Sequence, residues 1–243
     1  MKTLINKSIN KAIYKNVVLW NKRINNKPYK NKEQRKFQII NQLKYLAEEM
    51  NEFKEANECN DIVEMFDAIC DIVIVSNYLP RLCHNKKLVK SYKINLNNNK
   101  QPINEILALI GNDLYHINKI IKSNYSFKEI LFITENIFRN VELYVCYFIQ
   151  YLYNIGYTTP SELYLNAIKE VIDTNNNKFL YNKNNASKML PSVIKHYDNR
   201  FDNIVIIESY GAYLFRADNG LGKVIKPLNW KSPDIKSILD IAV

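Results

Sequence analysis

Apolar residues return every three or four positions along most of the first three quarters of the chain, the period of a helix buried on one side. Ile5, Ile9, Ala12, Ile13, Val17 and Trp20 draw such a stripe from Leu4 to about Asn25, where Asn25-Asn26-Lys27-Pro28 stops it. A second helix is predicted from Lys32 to Glu58, with Phe37, Ile40, Leu43, Leu46, Ala47, Met50 and Phe53 inward. Asn60-Asp61 reads as a turn and N-cap for a third helix, Ile62 to about Cys83. Ile103–Lys122 and Phe127–Asn154 form another predicted helical hairpin, and Pro160-Ser161-Glu162 opens a helix reaching about Asn176. Asn182–Lys188 is polar and loop-like. The period then shortens to two. Asn203–Glu208, Ala212–Ala217 and Gly222–Ile225 read as strands, and Pro233-Asp234-Ile235 starts a last short helix. The expected fold is a mainly α bundle with a small C-terminal β-hairpin appendage. Residues 1–180 would be the helical domain, with 84–154 an inserted or repeated hairpin, and 189–243 the appendage packed on it.

The third helix departs from the ordinary amphipathic pattern. Between Ile62 and Val75 only Glu64, Asp67 and Asp71 are not apolar, and those three share one narrow stripe. A helix apolar on nearly every side belongs in a core. Desolvating like charges there costs on the order of several kcal/mol each unless something cationic faces them. Between Lys36 and Arg81 only Lys44 and Lys54 could serve, and Lys54 points away from the preceding helix's own acids, Glu48, Glu49 and Glu52. Two short-linked antiparallel helices would bring Glu49 and Glu52 opposite Glu64 and Asp67. Such an oxygen-only set suits a hard divalent cation, with Mg²⁺ the usual choice where phosphates complete the shell. The competing reading is a solvated acidic face on two surface helices.

The pattern Glu48-Glu49-Met50-Asn51-Glu52, a spacer, then Glu64-Met65-Phe66-Asp67 resembles the all-α nucleoside triphosphate pyrophosphohydrolase superfamily, and Glu64-x-x-Asp67-Ala68-x-x-Asp71 looks most like its phage-type members. Thr174-Asn175-Asn176-Asn177-Lys178-Phe179 resembles that group's S-N-x-x-K-[FL] motif, with Thr in place of Ser and Asn177 where Ser is usual. The tail, with Gly222-Lys223-Val224-Ile225-Lys226, Trp230 and Pro233-Asp234-Ile235, is similar to the ending of those proteins. The resemblance covers roughly the first and last eighty residues. It implies an Mg²⁺-dependent hydrolase (Mn²⁺ the alternative) that splits a nucleoside triphosphate into monophosphate and pyrophosphate. A pyrimidine deoxynucleotide such as dCTP or dUTP would be its substrate. Glu49, Glu52, Glu64 and Asp67 would be metal ligands, with Asp71 an outer ligand or an acceptor behind them. Glu48 would be a further ligand or orient the attacking water. Asn175, Lys178 and Lys226 would bind substrate, and Trp20 and Asn21 would read the base. A homodimer or tetramer is expected by the same resemblance.

Composition narrows this further. Four cysteines without a C-x-x-C pair suggest reduced thiols in a cytoplasm, a host cytoplasm if the chain is viral. No apolar run reaches membrane-spanning length. The net charge of +10 favours anionic partners. However, the basic stretches Lys2–Lys36 and Lys86–Lys100 lack the aromatic spacing of a stacking platform, so nucleic acid is not the expected partner. A non-enzymatic basic helical protein binding nucleic acid is the alternative reading. A di-iron carboxylate bundle would need Glu-x-x-His on two helices, and the nearest approach is Asp113-Leu114-Tyr115-His116.

Overall fold

In a computed structural model, residues 7–85, 101–198, 200–218 and 222–240 are described. The expected helix start at Leu4, the basic stretch Lys86–Lys100 and the turn residues Asn219 and Gly220 lie outside the described residues. In chain order the elements are α1 (Lys7–Arg23), α2 (Lys32–Glu58), α3 (Ile62–Ser76), α4 (Leu79–Leu82), α5 (Pro102–Lys122), α6 (Phe127–Asn154), α7 (Pro160–Asn176), α8 (Lys183–His196), β1 (Val205–Ser209), β2 (Ala212–Arg216), β3 (Val224–Ile225) and α9 (Ile235–Asp240). The chain is therefore mainly α with a small antiparallel sheet, as the patterning predicts. It divides into two units. One comprises Met1–Val18, Pro28–Lys169 and Asp234–Val243, the other Leu19–Lys27 and Glu170–Pro233. The second unit starts ahead of the expected boundary and takes in the end of α1.

In the first unit, α2 and α3 form an antiparallel hairpin whose link is a Schellman motif. The N–H of Asp61 bonds back to Ala56 O at 2.9 Å and that of Asn60 to Asn57 O at 3.1 Å, with Asn60 in the left-handed region at φ 55. The Asp61 carboxylate then accepts from Val63 N and Glu64 N, both at 3.1 Å, and so starts α3. One residue thus finishes one helix and begins the next. Leu43, Leu46, Met50 and Phe53 from α2 and Met65, Phe66, Ile69 and Ile72 from α3 are almost wholly buried. Phe148 of α6 meets Phe53 edge-on at 6.1 Å and Phe66 at 5.3 Å between centroids. Each such ring contributes about 1.5–3 kcal/mol by leaving water. Ile39, not Phe37, carries the buried stripe toward the start of α2; Phe37 is 63% exposed.

The expected helix to Cys83 breaks at Ser76. Ser76 Oγ and Asn77 Nδ2 both donate to Val73 O, at 3.0 and 2.8 Å, drawing the chain away from regular helical bonding. It resumes as α4, with Pro80 in the first turn, where its missing N–H costs little.

In the second unit, β1 and β2 form a hairpin through Tyr210 and Gly211, both at positive φ (51 and 73), and β3 pairs with β2 through Phe215↔Ile225. β2 is covered on both faces. Phe215 joins Ala186, Val193, Ile204 and Ile225, whereas Ala212 and Leu214 join Ile24 and Phe179. The segment Asn182–Lys188, expected as a loop, instead opens α8. Its cap is Asn182, which accepts from Asn185 N at 3.2 Å, and Ala186, Met189, Leu190 and Val193 supply an apolar stripe at helical spacing. Gly222 has a steric reason: a Cβ there would stand 2.4 Å from Asp218 Oδ2 and 3.2 Å from the Ala217 carbonyl carbon.

Candidate active site

The acids of α3 occupy the one stripe of that helix that packing does not seal. Met65, Phe66, Ala68, Ile69, Cys70, Ile72 and Val73 are buried, while Glu64 is exposed and Asp67 and Asp71 are half-buried. The register of the hairpin is marked by Gln42 Nε2, which donates to Val75 O at 2.8 Å. Counting equal helical steps from that bond toward the turn sets Glu49 level with Ala68 and Glu52 level with Met65. The two helices therefore bring Glu49 and Glu52 to the height of Glu64 and Asp67. Glu49 borders the buried stripe and is half-buried, whereas Glu48 and Glu52 are exposed.

Burial, with the carboxylates of Asp71 and then Asp67 adding to it, holds the Cys70 thiol well above the usual thiol range. It remains a protonated core residue and offers no thiolate. As for a metal, the donor chemistry of these acids suits a hard cation, but the side chains do not stand as a ready cage. Among the described residues no group of three or more His, Cys, Asp or Glu side chains is gathered closely enough to hold one.

The second unit holds the other predicted residues. Trp20 Nε1 donates to Asn175 O at 3.3 Å, and Trp230 Nε1 donates to Thr174 O at 3.0 Å. Both tryptophans of the chain thus bond to consecutive carbonyls at the end of α7, which also accept from Asn177 N at 3.1 Å and Lys178 N at 3.3 Å in the tightened last turn. Lys178 Nζ donates to Asn175 Oδ1. Lys226 Nζ lies 4.0 Å and Lys178 Nζ 5.6 Å from the Trp230 ring centroid, so two ammoniums converge on one indole. Asn21 is buried, and its Oδ1 accepts from Asn26 Nδ2 at 2.8 Å, closing the turn after α1. Its amide serves that turn rather than standing open to solvent.

A polar cluster that sequence reasoning missed lies in the first unit. Asp113 on α5 is buried and accepts from Asn140 Nδ2 at 2.9 Å and from the Tyr144 hydroxyl, both on α6. Burial pushes its carboxyl up to about 6 against the opposing pull of those hydrogen bonds and of His116. The available signal was an acid standing within the apolar stripe Ile106, Ile110, Leu114, Ile117. The remaining acids of α6 have ordinary structural partners. Glu129 closes a capping box with Ser126, Glu135 accepts from Asn85 Nδ2 at 2.7 Å and Glu142 from Asn10 Nδ2 at 3.3 Å.

The fold and the acids together define a mainly α protein with a carboxylate-lined helical hairpin. No protein-family model, curated protein or solved structure matches the chain. Among the described residues no helix is long and apolar enough to cross a membrane.

Proposed function

We propose that the protein is an Mg²⁺-dependent nucleoside triphosphate pyrophosphohydrolase acting on a pyrimidine deoxynucleotide. The observation that carries this reading is the α2–α3 hairpin, where the partly open stripe of a core helix bears Glu64, Asp67 and Asp71, the first two level with Glu52 and Glu49 of its partner. Asp67 and Asp71 are half-buried, as are Val63, Ile74 and Val75 on the same side of the helix, so the stripe is more sheltered than a fully solvated acidic face. Glu49, Glu52, Glu64 and Asp67, with Asp71 behind them, would hold the cation. When bound it would neutralise phosphate charge and supply Lewis-acid stabilisation. Glu48 would orient the water that attacks the α-phosphorus. Lys178 and Lys226, in the second unit, are proposed separately as groups for anionic phosphate oxygens. Asn175, Trp20 and Asn21 are lesser parts of the proposal, because each already serves a turn or helix end. A homodimer or tetramer, and a cytoplasmic location, belong to the same reading. The test is release of pyrophosphate and monophosphate from a panel of ribo- and deoxyribonucleoside triphosphates, with Mg²⁺, with Mn²⁺ and with EDTA. Release confined to the metal-containing arms supports the reading and names the base; metal-independent release, or none, contradicts it.

A further inference from the structure

The end of α1 carries two consecutive cations, and in the second unit each meets an aromatic ring. Lys22 Nζ stands 5.1 Å from the centroid of Tyr210, and Arg23 Cζ lies 3.8 Å over Phe179 while its Nη2 donates to the Tyr181 hydroxyl at 3.0 Å. The two tyrosines are among the most exposed large side chains of the chain, Tyr181 at 71% and Tyr210 at 61%. Neither joins the apolar clusters on the two faces of the sheet. Tyr210 also occupies the first left-handed position of the β1–β2 turn, at φ 51, where Asn or Asp is the favourable choice and a bulky ring is strained. A strained, solvent-facing aromatic that supports no core points to a use outside the fold.

We propose that Tyr210 and Tyr181, interleaved with Lys22 and Arg23, form a surface that binds single-stranded nucleic acid, with the buried Phe179 ring seating Arg23 from beneath. Exposed rings offer faces on which unpaired bases stack, and adjacent cations meet the phosphates between them. The charge of the unit is complementary to such a strand, with twelve Lys and Arg against six Asp and Glu in Leu19–Lys27 and Glu170–Pro233. The surface escapes a reading of the sequence because its parts come from three separate segments. The basic stretch Lys2–Lys36 lacks aromatic spacing of its own, and the fold supplies the exposed rings from positions 181 and 210. The inference is independent of the acid hairpin.

The experiment is fluorescence anisotropy of a labelled oligo-dT of about 16 nucleotides against the full chain in EDTA, at low and at near-physiological salt. Saturable binding is expected, with Tyr210→Ala and Tyr181→Ala each weakening it about 10-fold. Lys22→Gln should lower the salt slope by about one ion. Tyr210→Asn should lose binding as Tyr210→Ala does while melting at or above the wild-type temperature, which separates loss of the surface from loss of fold. Absence of binding overturns the proposal, as does binding untouched by both tyrosine substitutions. Preference for a duplex of the same length, or complete displacement by a moderate excess of free nucleoside triphosphate, would assign the surface to another ligand and also overturn it.

Discussion

The first unit contains two long antiparallel hairpins, α2–α3 and α5–α6, that place their acids differently, one burying a single acid and the other grouping several on a partly open stripe. In α5–α6 the acid within the apolar stripe, Asp113, is answered across the hairpin by Tyr144 and Asn140. In α2–α3 the acids of α3 lie together on the stripe that packing leaves open, beside Glu49 and Glu52 of α2. A lone carboxylate with two donors is a way of joining helices. Several carboxylates grouped on one stripe of adjacent helices concentrate like charge, an arrangement that a bound cation would favour. If the second hairpin is a repeat of the first, the repeat has kept the helices and exchanged a cluster of acids for one buried acid.

Breaking the proposed chemistry without breaking the fold is the strongest way to test this contrast. Glu49→Gln and Asp67→Asn are each expected to lower pyrophosphate release by at least about 100-fold, the scale of losing one group that stabilises transition-state charge. Far-UV circular dichroism should be unchanged in both variants. Activity retained in both would reduce the α2–α3 acids to surface charge.

Asp113 should behave in the opposite manner. Its folded carboxyl titrates near 6, above the ordinary Asp value, so its contribution to stability is fully present below about pH 4 and is lost as pH rises through about 6. Chemical denaturation of wild type and Asp113→Asn across that window should show wild type losing about 3 kcal/mol relative to the variant as pH rises. Turnover should be close to unchanged. A pH-independent difference would mean that Asp113 is ionised throughout and held by its donors alone.

Tyr144→Phe removes one of those donors and should cost about 1–3 kcal/mol, read as a lower denaturation midpoint with an unchanged slope. Smaller effects are expected at the helix starts. Asp61→Ala and Ser126→Ala each remove an N-cap, of α3 and α6 respectively, and should cost about 1 kcal/mol. Asp61 is also where α2 ends, so Asp61→Ala should in addition reduce activity modestly by loosening the register of the two acid helices. Equal loss of activity in Ser126→Ala would argue that the α5–α6 hairpin is also part of the site.

Local chemistry made much of the first unit legible in advance. Asn60-Asp61 marked the α2–α3 link because an Asn tolerates the left-handed C-cap and an Asp caps the next helix. The acid clusters were visible because six carboxylates fall on two adjacent helices whose remaining residues include the central core. What stayed hidden depends on distant partners. Asp113 resembles a stray acid until Asn140 and Tyr144 are brought beside it, and Lys22 and Arg23 read as solubilising charge until the fold places Tyr210 and Phe179 against them. Asn182–Lys188 reads as a loop because it is polar, while the apolar stripe that makes it helical begins only at Ala186. Within α2, Phe37 invites an inward reading because it is large and apolar, yet Ile39 lies about 160° round the helix from it and carries the buried stripe on to Leu43.

The most direct measurement is product analysis of wild type and Asp67→Asn with each nucleoside triphosphate, in Mg²⁺ and in EDTA. The account predicts that wild type with Mg²⁺ yields pyrophosphate and monophosphate in equal amounts from one or a few pyrimidine deoxynucleotides. EDTA and Asp67→Asn should each remove that activity while the protein stays helical. No turnover of any nucleotide by folded wild type, or turnover that survives both Asp67→Asn and Glu49→Gln, would contradict it.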